Sequence, residues 1–303
     1  MQRFYYIFVI FAILSCANEA KDEIALPDPP AFPDITQDDE EEPDPSASYS
    51  NIDLNNWKVT LPIPRSTSDS RPLEITPPEI LNYPNVEALK DFMFDDTEEG
   101  AIVFYTTPGV STTNSSYSRT ELREQLQPGS NSVNWTFAEG GTMQGKLRVS
   151  NVSGNTGNLD RIIIMQIHGR LSNEQRDLIG EDDNNAPPVV KVYWDDGKIN
   201  FRRKVLVDES VNDIDVLRTS AWEDESHWFN TEVGFEPFEL KITAANNYLK
   251  CEIIGTEEVF EFSDVHTQRW GVFENYFKAG NYLISTDEDA FSEVKYYELD
   301  VQH

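Results

Sequence analysis

Arg161-Ile162-Ile163-Ile164-Met165-Gln166-Ile167-His168-Gly169 is the stretch on which the architecture turns. Its apolar opening is short and β-branched, so it reads as a strand with both faces buried at first. Gln166 and His168 then emerge on one face, because residues i and i+2 of a strand point the same way. Gly169 after them lets a ligand or another backbone come close. Working outward, similar runs bounded by Gly, Asn, Asp, Pro and Ser lie at Trp57–Leu61, Ala101–Thr106, Ser118–Leu126, Thr142–Val149, Val189–Trp194 and Ile199–Val205. They continue at Phe238–Thr243, Tyr248–Ile254, Val259–Phe262, Trp270–Asn275, Tyr282–Ser285 and Phe291–Val301. Helical periodicity is nearly absent, apart from single turns near Pro78–Leu81 and Val86–Asp91. More than ten short strands at this spacing predict an all-β fold, a two-sheet β-sandwich or jelly roll, over residues 49–303. No segment repeats at a fixed period, which argues against a solenoid or propeller.

The rest of the chain differs in kind. After Met1-Gln2-Arg3 an apolar run reaches from Phe4 to Leu14, followed by Ser15 and Cys16. A bilayer needs roughly 20 apolar residues, so this run fits the core of a signal peptide spanning 1–15. Ile13-Leu14-Ser15-Cys16 resembles a bacterial lipobox, which implies lipidation at Cys16 and an exported lipoprotein held at the outer membrane or cell surface by its lipid. Residues 16–48 read as a tether, since residues 17–48 carry eleven Asp and Glu against one Lys, with six Pro. Such a composition buries too little apolar surface to offset the entropy of ordering. With Cys16 lipidated, only Cys251 remains as a free thiol, which excludes an intrachain disulfide and a thiolate metal site.

Across all 303 residues, 24 basic side chains stand against 54 acidic ones, a net charge of −30. A field of that sign repels nucleic acid and anionic lipid, so no nucleic-acid partner is expected. It still permits an acidic ligand where the few Arg and Lys gather in one cleft. Three segments can do this. Arg119, Glu121 and Arg123 alternate along Ser118–Glu124; Gln166 and His168 end the second strand; Tyr276, Lys278, Gly280 and Tyr282 share a face of Tyr276–Tyr282 if it stays extended. These faces offer donors, cations and titratable hydroxyls, with no second free carboxylate. A glycosidase needs two carboxyl groups about 5 to 9.5 Å apart. The Glu-x-Asp-x-x-Glu run of sandwich-fold glycoside hydrolases is missing, and Asp213-Ile214-Asp215 lacks its flanking Glu residues. The set suits an anionic sugar.

Arg-Thr-Glu-Leu-Arg at 119–123, Gln-Ile-His at 166–168 and Tyr-Phe-Lys-Ala-Gly-Asn-Tyr at 276–282 resemble the three signature motifs of the alginate lyases of polysaccharide lyase family 7. The opening Asn56-Trp57-Lys58-Val59-Thr60-Leu61-Pro62 is similar to the start of that family's domain, so the likeness covers residues 51–303. The resemblance implies β-elimination at a 4-linked uronate: the C5 proton leaves, the C4 oxygen departs and a C4–C5 double bond remains. It implies that Arg123, Gln166 and His168 neutralise the carboxylate beside C5, where donors of this type contribute about 3–4 kcal/mol each. It makes Tyr282 the acid that protonates the leaving oxygen, and for mannuronate also the base; a tyrosine, ordinarily near pKa 10, needs adjacent cations for this. His168 is the base when guluronate presents its C5 proton from the other side. Arg119, Tyr276 and Lys278 bind flanking uronates, and Glu121 holds the two arginines. No metal or organic cofactor is implied, and the protein is expected to act as a monomer on alginate or a related anionic polysaccharide.

The chain departs from the family pattern at Ile284, where the third motif often has Gln. In the resembling family Ile at the centre of Gln-x-His accompanies guluronate-containing blocks, so Ile167 points to guluronate or mixed blocks. The loops 107–116 and 170–187 are rich in Gly, Asn, Ser and Asp and could close over the groove as lids. Nothing marks a closed pocket end, which favours endo cleavage. Two other readings stay open from the residues alone: a non-catalytic glycan-capture lipoprotein on the same sandwich, and a lyase for another polyuronate such as glucuronan.

Overall fold

Strands with one apolar face must cover it, and here two antiparallel sheets cover each other. The structure, a computed structural model, describes residues 49–155 and 158–303. The signal peptide, tether and Cys16 expected from the sequence lie outside the described residues. The larger sheet runs in the order Trp222–Glu232, Lys198–Leu206, Asn185–Asp195, Arg161–Arg170, Glu274–Ile284, Arg119–Glu124, Trp57–Ser66, Asp69–Ile75, with Trp135–Thr136 paired to Glu274–Ile284. The second sheet runs Val259–Phe262, Tyr248–Ile253, Phe238–Ala245, Gly141–Val152, Ser292–Gln302, Ala101–Thr106, Met93–Asp96. The expected all-β sandwich is therefore the fold.

Alternation sends Val59, Leu61, Leu122, Ile167, Val192 and Phe277 inward from the larger sheet, into one core with Phe104, Met143, Leu240, Val294 and Tyr296 of the second. Burial of each such side chain stabilises by about 1.5–3 kcal/mol. Gly145 marks a close approach of the sheets: a Cβ there would stand 2.5 Å from Met165 Cε.

The three motif strands lie side by side in the middle of the larger sheet. Their register contains an irregularity that alternation alone does not foresee. Opposite Glu274–Ile284, pairing passes from Ile163↔Tyr282 to Met165↔Ala279, and opposite Asn185–Asp195 it passes from Ile163↔Tyr193 to Met165↔Val192. This β-bulge puts Ile164 and Met165 both into the core, while Ile163 joins Tyr193 and Tyr282 in a separate cluster. Tyr296 reaches across from the second sheet to satisfy the disturbed backbone: its hydroxyl donates to Ile164 O at 2.6 Å and accepts from Gly280 N at 3.2 Å. Gly280 holds φ +133, and a Cβ there would meet Thr120 O at 2.8 Å.

Several elements differ from the sequence expectation. Trp270–Asn275 is not a strand: Val265–Trp270 is a short helix, capped where Thr267 N donates to Asp264 Oδ1 at 3.0 Å. Trp270 then turns inward and its indole donates to Asn275 Oδ1 at 2.7 Å, and the next strand starts at Glu274 and continues unbroken to Ile284. The strand Trp222–Glu232 is not legible in the sequence because Glu223, Asp224 and Glu225 break its apolar pattern; it is an edge strand with Phe229 buried and Asp224, Ser226 and Trp228 exposed. Asp69–Ile75 and Met93–Asp96 are also strands. Within the 170–187 loop, Asn173–Ile179 is helical, with a reciprocal Ser172–Gln175 capping box and Gly180 at φ +72 ending it. The turns expected near Pro78 and Val86 are the 3-10 segments Glu79–Asn85 and Glu87–Leu89.

Candidate active site

On the outer face of the larger sheet, register alone gathers the cations that composition makes scarce. Lys58 lies opposite Arg123, Arg123 opposite Lys278, Lys278 opposite Gln166, Gln166 opposite Lys191, and Lys191 opposite Arg202. One row perpendicular to the strands thus carries five cations and an amide. Neighbouring strands lie about 4.8 Å apart, close to the repeat of an extended sugar chain, so the row suits an anionic polymer laid across the sheet.

Glu121 is the hub of the buried charge. It is 1% exposed and bonds Arg119 at 3.3 Å, Lys278 and the Gln166 amide. The expectation that Glu121 holds both arginines is half right. Arg123 is held elsewhere, donating to Glu124 O at 2.7 Å, Asn131 O at 3.1 Å and Asn134 Oδ1 at 2.9 Å. A guanidinium has five N–H groups, so Arg123 keeps two for a ligand. Burial pushes the Lys278 pKa down to about 8 against the opposing pull of Glu121, with Arg119 adding to the fall. Arg119 Nε is buried with no partner, and such a donor awaits a ligand acceptor.

The aromatic members interleave with these cations. Arg119 lies 3.8 Å from the centroid of the Tyr282 ring and Arg123 4.0 Å from that of Tyr276. Tyr276 also stacks on His168, with centroids 5.2 Å apart and planes 12° off parallel. His168 Nδ1 is 2.8 Å from Gly169 O. A carbonyl only accepts, so Nδ1 carries the proton and Nε2 keeps its lone pair. Burial drives the imidazole pKa down to about 3, and the charges of Lys278, Arg119 and Arg123 press in the same direction. His168 is therefore a neutral imidazole at physiological pH. The Tyr282 hydroxyl bonds Ser115 Oγ, which comes from the first of the two expected lids.

The groove has two lobes that share Arg119 and His168. One, of about 560 Å³, is lined by Lys58, Arg123, Arg170, Tyr276 and Lys278; the other, of about 610 Å³, by Gln166, Tyr282, Lys191, Tyr193 and Lys204. Above their junction Asn114 donates to Asp183 at 3.3 Å, so the 107–116 and 170–187 loops meet over the groove. All eight residues singled out on the sheet, Arg119, Glu121, Arg123, Gln166, His168, Tyr276, Lys278 and Tyr282, come together here. Sequence reasoning missed Ser115, Lys58, Arg170, Lys191 and Arg202. Lys191 and Arg202 sit in ordinary alternating strands, and only their register brings them to the row.

Ile167 faces the core at 0% exposure, so it reaches the groove only through the strand that carries it. Ile284 lines the second lobe, across from Arg161.

The family profile described as alginate lyase matches residues 52–303. Among solved structures, alginate lyase A1-II', a member of polysaccharide lyase family 7, is 28% identical with a TM-score of 0.64, covering 84% of this chain and 96% of that one. A variant of A1-II' with one His and one Tyr replaced, in complex with the substrate GGMG, is 26% identical at TM-score 0.65, over 85% and 97%. The alginate lyase from Klebsiella pneumoniae shares the fold at 21% identity and TM-score 0.63, over 82% and 96%. No match is found among curated proteins. With its motif residues converging on one groove and the family profile spanning the whole sandwich, the chain belongs to the alginate lyases of polysaccharide lyase family 7.

Proposed function

We infer that this polysaccharide lyase cleaves alginate internally, by β-elimination, with preference for guluronate or mixed blocks. The observation that carries the chemistry is a neutral His168 with a free Nε2 lone pair sharing one groove with the Tyr282 hydroxyl, between rows of fixed cations. The C5 proton of a uronate is poorly acidic because elimination builds a second negative charge beside its carboxylate. Arg123 and Gln166 are assigned to neutralise that carboxylate, donors already fixed before substrate arrives and so free of reorganisation cost; His168, expected to join them, spends its one N–H on Gly169 O and is left with the lone pair of a base. For guluronate, His168 Nε2 takes the C5 proton, the C4–O bond breaks, and Tyr282 gives its proton to the departing oxygen. For mannuronate Tyr282 serves in both roles. Arg119, Tyr276 and Lys278 hold flanking uronates.

The endo reading is supported by two lobes that meet under the Asn114–Asp183 contact, which leaves room for polymer on either side of Tyr282. The guluronate reading is supported by Ile167 alone. The N-terminal reading stands with them: a lipid at Cys16 and an acidic tether would hold this domain at the cell surface, where polymer is met. Digesting block-pure polyguluronate and polymannuronate side by side, with ultraviolet absorbance for the unsaturated product and chromatography for its size, tests both readings. Faster initial rates on polymannuronate would overturn the preference, and monomer as the sole early product would overturn the endo mode. No absorbance gain on any polyuronate would overturn the reaction itself.

A further inference from the structure

A second register row crosses the sheet parallel to the cationic one. Arg119 lies opposite Tyr282, Tyr282 opposite Ile163, Ile163 opposite Tyr193, Tyr193 opposite Asn200, and Asn200 opposite Trp228. It ends on the outermost strand, where Trp228 is 48% exposed. His227 and Phe229 on either side pack against Phe260, so alternation turns Trp228 to the opposite face. That is the groove face, since Asp224, four residues back, pairs with the groove-lining Lys191 at 3.0 Å and Lys204 at 2.8 Å.

Charge follows the same line. Arg202 stands 4.7 Å from the Tyr193 ring centroid and donates to Asn200 Oδ1 at 2.7 Å, and Asn200 donates to Ser226 Oγ at 2.8 Å. Asp224 is matched by the two lysines and Asp195 by Arg161 at 3.9 Å. Arg202 has no carboxylate partner among the described residues. The indole thus stands exposed at the end of a cationic groove in a chain of net charge −30, with a flat apolar face and a polar N–H of the kind that can stack on a sugar ring.

We propose that Trp228, with Arg202 positioned by the buried Asn200, forms a distal subsite that takes a uronate of the same polysaccharide chain several rings away from the bond cleaved at Tyr282. This rests on the polyuronate reading above and adds the reach of the site. From Tyr282 to Trp228 the row crosses four strand spacings, about 19 Å, or about four pyranose rings. Short substrates seated at Tyr282 fall short of it.

The test uses Tyr282→Phe as a parent that holds polymer without turning it over, with sodium alginate and a guluronate trisaccharide as the probes. Affinity electrophoresis and calorimetry should show Trp228→Ala weakening polymer binding about five-fold while leaving the trisaccharide unchanged, and Trp228→Phe restoring most of the loss. In the otherwise wild-type enzyme the same substitution should raise KM on polymer and leave kcat unchanged. Equal effects on polymer and trisaccharide, or none on either, would overturn the distal subsite while the lyase reading stands. A parent that binds no polyuronate overturns both. Unchanged polymer binding together with a change of sedimentation on Trp228→Ala would assign the indole to a second copy of the chain, and also overturns the proposal.

Discussion

The guanidinium of Arg119 lies against the ring of Tyr282, 3.8 Å from its centroid, and the two residues face each other directly across paired strands. The ring is fixed from its other sides by Ile163 and Tyr193, and its hydroxyl by Ser115. A residue held this way loses little but one oxygen on replacement by Phe. Tyr282→Phe should therefore keep a melting temperature within a few degrees of wild type, retain polymer binding, and lose at least a hundred-fold in kcat. Retention of more than about a tenth of wild-type kcat, a factor worth ~1.4 kcal/mol, would show that Tyr282 is not the proton donor.

Arg123 is held by two backbone carbonyls and Asn134, with two N–H groups left over. Arg123→Ala should lower kcat/KM by about 10²–10³, the loss expected for one preorganised donor at a developing charge. Arg123→Lys cannot reproduce the planar fork and should recover little. Circular dichroism melts distinguish the readings: a variant that melts with wild type and keeps its activity sinks the assignment.

The pH profile follows from Lys278 and His168. Lys278 is charged below about 8 and neutral above it, so kcat/KM should fall on the alkaline side near pH 8 as the groove loses a cation. Lys278→Arg should move that limb upward. Because the folded pKa lies below the ordinary 10.5, the unfolded chain holds more protons between the two values, and the Lys278 contribution to stability rises with pH across that window. His168, depressed to about 3, should produce no acid limb near its ordinary 6.5. A half-maximal rate near pH 6.5 that vanishes in His168→Gln would contradict the neutral-base assignment.

Glu121 compensates two buried cations, so removing its charge leaves them facing each other. Glu121→Gln should cost about 3–5 kcal/mol of stability, the usual penalty for breaking a buried pair from one side. Urea denaturation reads it directly. A variant as stable as wild type would mean that solvent, not Glu121, balances Arg119 and Lys278.

His303 gives a stability effect of opposite sign. Its Nδ1 faces Gly140 O at 3.0 Å and its Nε2 faces Glu124 Oε1 at 2.6 Å, two acceptors that call for the doubly protonated ring. Burial lowers its pKa, yet the bonds to Glu124 and Gly140 outweigh it and the net shift is upward. A raised folded pKa means that the contribution is fully present below 6.5 and is lost as pH rises through the folded value. His303→Ala should thus lower the melting temperature at pH 6 and matter little at pH 9. An equal loss at both would rule out the imidazolium.

The sequence by itself determined the fold class and the chemical members of the site. Period-two alternation put Arg119, Glu121 and Arg123 on one face and Gln166 with His168 on another, and these are the faces the structure displays. Alternation is local, set by backbone geometry within a few residues, so it survives in any tertiary context. What only the tertiary structure decided was register and partner. Which strand lies beside which, the bulge that sends Ile163 outward while Ile164 and Met165 both turn in, and the cationic row completed by Lys58, Lys191 and Arg202 depend on pairing between segments far apart in the chain. Glu121 illustrates the limit: alternation placed it between two arginines, yet a strand 157 positions later supplied Lys278, and the carboxylate went to the cation that burial had stripped of water. Long-range pairing is fixed by the burial of whole faces, which no local pattern of residues encodes.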